Sequence, residues 1–297
     1  MSGKLKDKVA LVTGSGQGIG RAIAIALSKE GAKVVTNNRW LGTSGGDAEA
    51  TAKQIRDNGG QAVPFFGDIA DFGIAQKLIR TAVEEFGRLD ILVNNAGAPN
   101  HPRIWEMTEE EWDICVDSCL KGTFNCTRHA APIMKEQKWG RIINATSISW
   151  LGNPPDCNYA AAKAGVVGLT SAVALEMGKF GVTCNAFAPA AATRLTTGGE
   201  TQAHLKKIYQ EGILTKEQYE EMINPPNPDT VGPLIVYLCT KEASDINGQV
   251  FDIDGNNIAL YSKPIKIRSI FKEQGLWTVE ELTKVVPKAL LKDTKIQ

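Results

Sequence analysis

The sequence is poor in the features that would place it in several large classes of protein. It has no charge excess, since 33 Lys and Arg balance 33 Asp and Glu for a formal net charge of zero at pH 7. No basic field exists to gather nucleic acid or an anionic membrane surface, so neither is expected as a partner. Histidine is scarce, with three in 297 residues, at 101, 129 and 204. No zinc spacing can be built from them, and no metal site is expected. Six cysteines (115, 119, 126, 157, 184 and 239) include no Cys-x-x-Cys pair, and without a secretory leader they are expected as reduced thiols in or near the core. The first residues lack the apolar h-region of a signal peptide, and no later run is read as reaching transmembrane length. The chain is expected to be cytoplasmic.

What is present is 43% hydrophobic residues, 22% charged residues and 29 glycines, enough for one large core. Residues 8–13 form an apolar, β-rich run. The turn 14–20 follows, with Gly14, Gly16, Gln17, Gly18, Ile19 and Gly20, and then a helical pattern over 21–29. In the order strand, glycine turn, helix, the backbone can approach a pyrophosphate held on the helix N-terminus. A second strand over 33–37 ends in Asn38-Arg39, where an adenosine ribose would lie. Asparagine can bond a hydroxyl without repelling a phosphate, and Arg39 either pairs with a 2′-phosphate or lies in solvent. With neutral Gln17 in place of a second cation, the reading leans to NAD(H) over NADP(H).

A third strand, 62–66, leads to Asp68-Ile69. Asp68 either accepts from an adenine amine or caps the helix that starts near Asp71. A fourth strand, 90–93, ends in Asn94-Asn95-Ala96-Gly97, whose amides can tie strand ends together and whose small residues leave room for a ribose. Strands that are near-continuous apolar runs, alternating with helices, predict an α/β fold with a doubly wound parallel sheet in a single Rossmann-type domain.

Further along, Tyr159 and Lys163 stand four apart, one turn of a helix face, with Ser147 twelve residues upstream. A phenol titrates near 10 in isolation, and an ammionium one turn away favours the phenolate; bringing it to about 7 takes roughly 4 kcal/mol. A serine hydroxyl beside it could hold a carbonyl or carbinol oxygen, which makes an acid/base site for alcohol–ketone chemistry. The same spacing also occurs on ordinary surface helices.

Taken together, Thr13 to Gly20, Asn94-Asn95-Ala96-Gly97, Ser147, Tyr159-x-x-x-Lys163 and 185–189 resemble the short-chain dehydrogenase/reductase family in order and spacing, over about residues 6–256. The resemblance implies hydride transfer with NAD(P)(H), a catalytic Ser147, Tyr159 and Lys163, and Lys163 holding the nicotinamide ribose. It implies a small carbonyl or alcohol substrate and a homotetramer built through helices near 108–137 and 158–179. The segment 33–60 and the long tail are similar to the 3-hydroxyacyl-CoA dehydrogenase domains of multifunctional fatty-acid enzymes, which implies a substrate that is a short ketone or is bound to CoA.

Three departures stand out. The family's active-site asparagine aligns with Cys119, on the helix that the capping box Thr108 to Glu111 opens. Pro189-Ala190 stands for Pro-Gly where the backbone passes the nicotinamide. Asp254-Gly255-Asn256 stands where Gly-Gly is common, and Asn also tolerates a left-handed backbone. Cys119 leaves open a second reading, a nucleotide-binding subunit or redox sensor without turnover. The segment 191–227, with Arg194, Lys206 and Lys207, is expected to cover the substrate opposite an apolar wall of Trp150, Leu151, Pro154 and Pro155. Residues 257–297 are expected as a C-terminal extension, with a short helix started by Thr278 and Glu281 and interrupted by Pro287.

Overall fold

The computed structural model describes residues 3–43, 45–100, 102–152, 157–192 and 197–292, without the side chains of 200, 201, 204 and 221. Expectations for His101, Pro154, Pro155, Arg194 and the side chain of His204 fall outside the described residues. The chain divides into two compact units, 1–261 and 262–297.

In the first unit, seven parallel strands form one sheet: β1 (Val9–Val12), β2 (Lys33–Asn38), β3 (Ala62–Phe66), β4 (Ile91–Asn94), β5 (Gly140–Ala145), β6 (Val182–Ala190) and β7 (Val250–Asp254). An eighth strand, β8 (Asn257–Leu260), pairs antiparallel with β7, and the spatial order is β3-β2-β1-β4-β5-β6-β7-β8. The first unit ends at Tyr261 and so includes 257–260, which folds back as a hairpin. Gly255, at φ +59°, turns that hairpin, and Asn256 needs no left-handed backbone.

Helices cover both faces, as the buried apolar runs require. Ile23 and Leu27 of α1 (Gly18–Lys29), Ile55 of α2 (Ala48–Asp57) and Ile235 of α9 (Gly232–Leu238) pack on one face with Val12, Val34 and Phe187. On the other lie Leu78 and Ile79 of α3 (Phe72–Phe86), Met134 of α5 (Gly122–Gln137) and Ala174 of α6 (Cys157–Met177), against Leu11, Leu92 and Ile142. The core is thereby split by a sheet whose strand ends, where β1 and β4 diverge in connection, face one side: the crevice in which such folds bind ligands.

Against expectation, one stretch, Cys157–Phe180, is long and apolar enough to span a bilayer by length and composition. It contains α6, whose small residues keep its charged content low. In the fold α6 packs on β6, and its buried face includes Asn158, Lys163 and Thr170 as well as Ala162 and Val166. Its opposite face is open in the single chain, with Leu175 85% exposed.

The helix opened by Thr108 is α4 (Glu109–Val116), with both bonds of the capping box present. It runs through a π-helical turn, Asp117–Lys121, into α5. Between β6 and α9 lie α7 (Gly199–Gln210) and α8 (Lys216–Ile223). Tyr209 and Tyr219 stack at 4.6 Å between them. Ala192 N–H donates to Pro226 O at 2.6 Å, drawing the ends of the segment 191–227 together.

In the second unit, 262–270 has no regular secondary structure and α10 (Val279–Ala289) starts at a complete Thr278/Glu281 capping box. Lys272 Nζ bonds Glu281 at 2.6 Å. Pro287 does not interrupt α10 as expected; it sits in the last turn, where it leaves the Thr283 carbonyl without its i+4 donor while Leu290 N still bonds Val286 O.

Candidate active site

The glycine turn is built by close approach. Gly14 and Gly18 have φ of +62° and +55°, a left-handed backbone that glycine adopts without strain. A Cβ on Gly14 would lie 2.8 Å from Ala96 Cα, one on Gly16 2.1 Å from Asn38 Oδ1 and 2.6 Å from Asp47 Cα, and one on Gly20 2.3 Å from Gly14 O. The turn is therefore locked between the ends of β2 and β4. Thr13 Oγ1 accepts from the N–H groups of Asn95 (3.0 Å) and Ala96 (3.1 Å), and Asn95 Nδ2 donates to Thr13 O and Gly14 O. Asn94 Nδ2 donates to Asn144 Oδ1 at 2.8 Å, the strand-to-strand tie expected of that amide.

Gln17 precedes α1 in extended conformation and makes no side-chain cap, so the first N–H groups of the helix point from its positive end into the crevice. Asn38 Oδ1 is buried, lies over Gly16 and has no hydrogen-bond partner among the described residues. A cradle that any side chain would fill, a helix N-terminus and an orphaned acceptor at the ribose position fit a dinucleotide. Arg39 is not loose in solvent: its Nη2 pairs with Asp68 Oδ2 at 2.9 Å. Asp68 does not cap α3. That cap is Asp71, which accepts from Ile74 N at 2.7 Å, while Asp68 Oδ1 takes Ala70 N at 3.0 Å. Ile69 is buried beside them, its carbonyl bonded by Asn125 Nδ2 at 2.9 Å. A cavity of about 490 Å³ opens next to this pair, lined by Arg39 and the carboxylates of Asp68, Glu109, Glu110, Asp113 and Asp117.

Ser147 follows β5 and caps a 3-10 turn, Ile148–Leu151, its Oγ accepting from Ser149 N at 3.3 Å. Lys163 is 3% exposed; its Nζ donates to Ala145 O at 2.7 Å and lies 5.5 Å from the centre of the Tyr159 ring. Thr146 Oγ1 donates to Lys163 O at 3.0 Å, which ties α6 to the end of β5. Asn158 secures the start of α6: its Nδ2 donates to Asn100 Oδ1 (2.5 Å) and Glu111 O (3.2 Å), and its Oδ1 accepts from Tyr159 N (2.8 Å). Nothing in the sequence pattern singled out Asn158 or Asn100; both act through contacts between distant segments.

Cys119 stands in the middle of the π-helical turn, fully buried. Its thiol contacts the Ser118 hydroxyl at 3.7 Å, and its carbonyl accepts from Thr123 Oγ1 at 2.8 Å. A Cβ on Gly97 would come to 3.0 Å from Cys119 Sγ and 4.0 Å from Lys163 Nζ, so Gly97 separates the two. Asn125 faces away, toward Ile69 and Ala70. Ala190 is the last residue of β6, paired with Asp254, and its backbone stays out of the left-handed region. Of the expected apolar wall, Leu151 is 59% exposed. Trp150 packs edge-on to Tyr261 at 5.5 Å with its indole N–H buried and unpartnered among the described residues. Lys206 and Lys207 are exposed, and Arg103 joins the segment to the 98–107 loop through Glu211 at 2.5 Å.

The chain is similar along most of its length to proteins of one family. The family described as short chain dehydrogenase matches residues 8–203. The 3-oxoacyl-[acyl-carrier-protein] reductase of Synechocystis sp. is 39% identical over 257 residues, 86% of this chain and 98% of that protein. The peroxisomal multifunctional enzyme type 2 of Drosophila melanogaster is 39% identical over 259 residues, 84% of this chain but 40% of that longer protein. A crystal structure of a short chain dehydrogenase from Mycobacterium avium superposes with a TM-score of 0.81 at 36% identity, over 97% of this chain and 96% of the other. Matches that long, at that identity and on a shared fold, place the chain in the short-chain dehydrogenase family of oxidoreductases.

Proposed function

We propose that the chain is an NAD(P)(H)-dependent oxidoreductase that interconverts a secondary alcohol and a ketone, with 3-hydroxyacyl/3-oxoacyl thioesters as its first substrate class and short ketones as its second. The observation that carries the reading is Lys163, buried, anchored on Ala145 O and set 5.5 Å from the Tyr159 ring. A buried ammonium there favours the phenolate and so lets Tyr159 exchange a proton near neutral pH. In reduction the Tyr159 hydroxyl gives its proton to the carbonyl oxygen, which the Ser147 hydroxyl orients; in oxidation the phenolate takes it back. The Cys119 carbonyl, held at the π-helical turn, serves the proton relay that ends on Lys163.

The turn of Gly14, Gly16, Gln17, Gly18, Ile19 and Gly20 holds the pyrophosphate, Asn38 and Arg39 the adenosine ribose, and Asp68 with Ile69 the adenine. Asn95, Ala96, Gly97, Pro189 and Ala190 flank the nicotinamide, with Tyr159 and Lys163 on its ribose. Bound there, the nicotinamide supplies or accepts the hydride. The leaning to NAD(H) gains nothing from the relatives. Arg39 can stay on Asp68 or turn to a 2′-phosphate, so the proposal stands at NAD(P)(H).

A 3-oxoacyl thioester is supported by the name of the Synechocystis relative. The segment 191–227 covers that substrate, residues 1–261, which include the β8 hairpin, form the catalytic unit, and 262–297 follow as a C-terminal extension. The exposed Trp112, Ile114, Phe124 and Leu175 on α4, α5 and α6 support a homotetramer. The test is NADH and NADPH oxidation against 3-oxoacyl-CoAs, 3-oxoacyl carrier-protein thioesters, short ketones and cyclic ketones. Turnover of a 3-oxoacyl thioester above that of the simple ketones is expected; oxidation with none of them overturns the reading.

A further inference from the structure

Two of the six cysteines lie one turn apart beside the proposed catalytic groups. Cys115 of α4 and Cys119 of the π-helical turn are fully buried and, with Ala162, form a small cluster against which Tyr159 packs. The Cys119 sulfur meets the Ser118 hydroxyl, the Ala98 backbone N–H and the charge of Lys163. The neighbouring Cys115 thiol pulls the Cys119 thiol down and Cys119 pushes the Cys115 thiol up; burial raises both and Lys163 lowers both. The other three buried thiols, Cys126, Cys184 and Cys239, are pushed up to about 12 by burial, and Cys157 is exposed. One buried pair is thus set apart from three thiols that burial keeps protonated and from one at the surface.

We infer that Cys115 and Cys119 form a peroxide-oxidisable dithiol that switches the site off when it closes to a disulfide, an inference that rests on the proposed roles of Ser147, Tyr159 and Lys163. Residues four apart on a helix have Cα atoms about 6.2 Å apart, inside the range of about 4.4–6.8 Å that disulfides span. The Cys119 thiolate attacks one oxygen of hydrogen peroxide, the O–O bond breaks, and hydroxide leaves to take up the proton the thiol had released. The sulfenic acid formed is then attacked by the Cys115 sulfur, which gives up its proton; the S–O bond breaks and a second water departs. Two thiols and one peroxide become one disulfide and two waters.

To reach the disulfide bond length of about 2 Å the two sulfurs must draw together. That movement falls on the turn that carries the Cys119 carbonyl and on the sulfur's contacts with Gly97 and Lys163. A displacement of about 1 Å at a catalytic group can lower the rate on the order of a hundred-fold.

The experiment uses the full chain carrying Cys157→Ser, so that the exposed thiol does not react. Hydrogen peroxide is added, the peptide holding both cysteines is mapped by mass, and coenzyme-linked turnover is followed before and after dithiothreitol. Loss of two hydrogens confined to that peptide is expected, with turnover down at least ten-fold and restored by dithiothreitol. Cys115→Ala, and Cys115→Ser if the alanine loosens the core, should keep the untreated turnover but form no disulfide, its Cys119 passing to a sulfinic acid that dithiothreitol does not reverse. A pair that stays reduced while added glutathione is consumed overturns the inference, as does a disulfide that leaves turnover unchanged. If the untreated protein turns nothing over, the reductase reading fails, and the mass map alone still decides whether the dithiol exists.

Discussion

Replacing Gly16 with alanine probes the glycine turn where it is tightest. Gly16 is not among the residues with positive φ, so whatever the methyl group costs arises from space and not from backbone strain. The new carbon would meet Asn38 Oδ1 at 2.1 Å and the Asp47 backbone at 2.6 and 2.7 Å. The amide can rotate. The Asp47 backbone cannot follow easily, because its side chain accepts from Gly42 N at 2.7 Å and Ala50 N at 2.9 Å. Carbon–carbon contacts settle at about 3.5–4.0 Å, so the two loops must part by roughly an ångström. Overpacking on that scale costs about 1–3 kcal/mol. Part lowers the thermal midpoint of the coenzyme-free protein by a few degrees. The rest weakens dinucleotide binding, because the N–H groups at the start of α1 no longer converge; the full range corresponds to about 5- to 150-fold in Kd. Thermal unfolding and a titration with NADH and NADPH by quenching of tryptophan fluorescence measure both. Gly59→Ala is the control: its Cβ meets nothing within 4 Å but its φ is +81°, so it should lose about 1–2 kcal/mol of stability with Kd unchanged. A Gly16→Ala protein with both midpoint and Kd within error of wild type would refute the packing argument.

Four further outcomes follow from the same geometry. Cys119→Asn should alter kcat by less than about ten-fold, or 1.4 kcal/mol in barrier, since the carbonyl at the π-helical turn is present with either side chain; a silent wild type awakened by this change would favour the subunit without turnover. Lys163→Ala should damage both turnover and coenzyme affinity, and a change confined to one of them would separate roles that the proposal joins. Arg39→Ala, which also releases Asp68, should leave the KM for NADH nearly unchanged; a selective rise of ten-fold or more in the KM for NADPH, about 1.4 kcal/mol, would identify an NADP-using enzyme. Asp47 is held below the ordinary carboxylate range, first by Ala50 N–H and then by Gly42 N–H. Its contribution to stability is therefore present above the unfolded value near 4 and lost as pH falls through the lower folded value. Asp47→Ala should cost about 0.5–2 kcal/mol at pH 7, shrinking toward acid pH; a constant difference from pH 7 to pH 3 would contradict that cap.

The sheet and its helices were legible because each strand is a short apolar run bounded by turn residues, and because Asp71, Thr108 and Thr278 cap helices through local bonds that a sequence displays. Single-residue ambiguities were harder. Asp68 and Asp71 are three apart, and only the fold shows that Asp71 caps α3 while Asp68 turns to Arg39. The β8 hairpin escaped notice since its residues are all exposed and carry no alternating pattern. Pro287 read as a break, but it lies two residues before the end of α10, where one lost i→i−4 bond does not stop the last turn from forming. Nothing local marked Cys115 as the partner of Cys119, because a cysteine at i,i+4 on a long helix is unremarkable until burial and Lys163 are seen together. Asn158 was invisible for the same reason: its bonds reach Asn100 and Glu111, far away in the chain.

The most direct measurement is turnover and coenzyme binding of Tyr159→Phe, which removes the proton-transferring oxygen and keeps the ring beside Lys163. Turnover should be abolished while the dissociation constant of NAD(P)H stays within a few fold of wild type. Turnover near the wild-type value in Tyr159→Phe would show that Ser147, Tyr159 and Lys163 do not carry the chemistry.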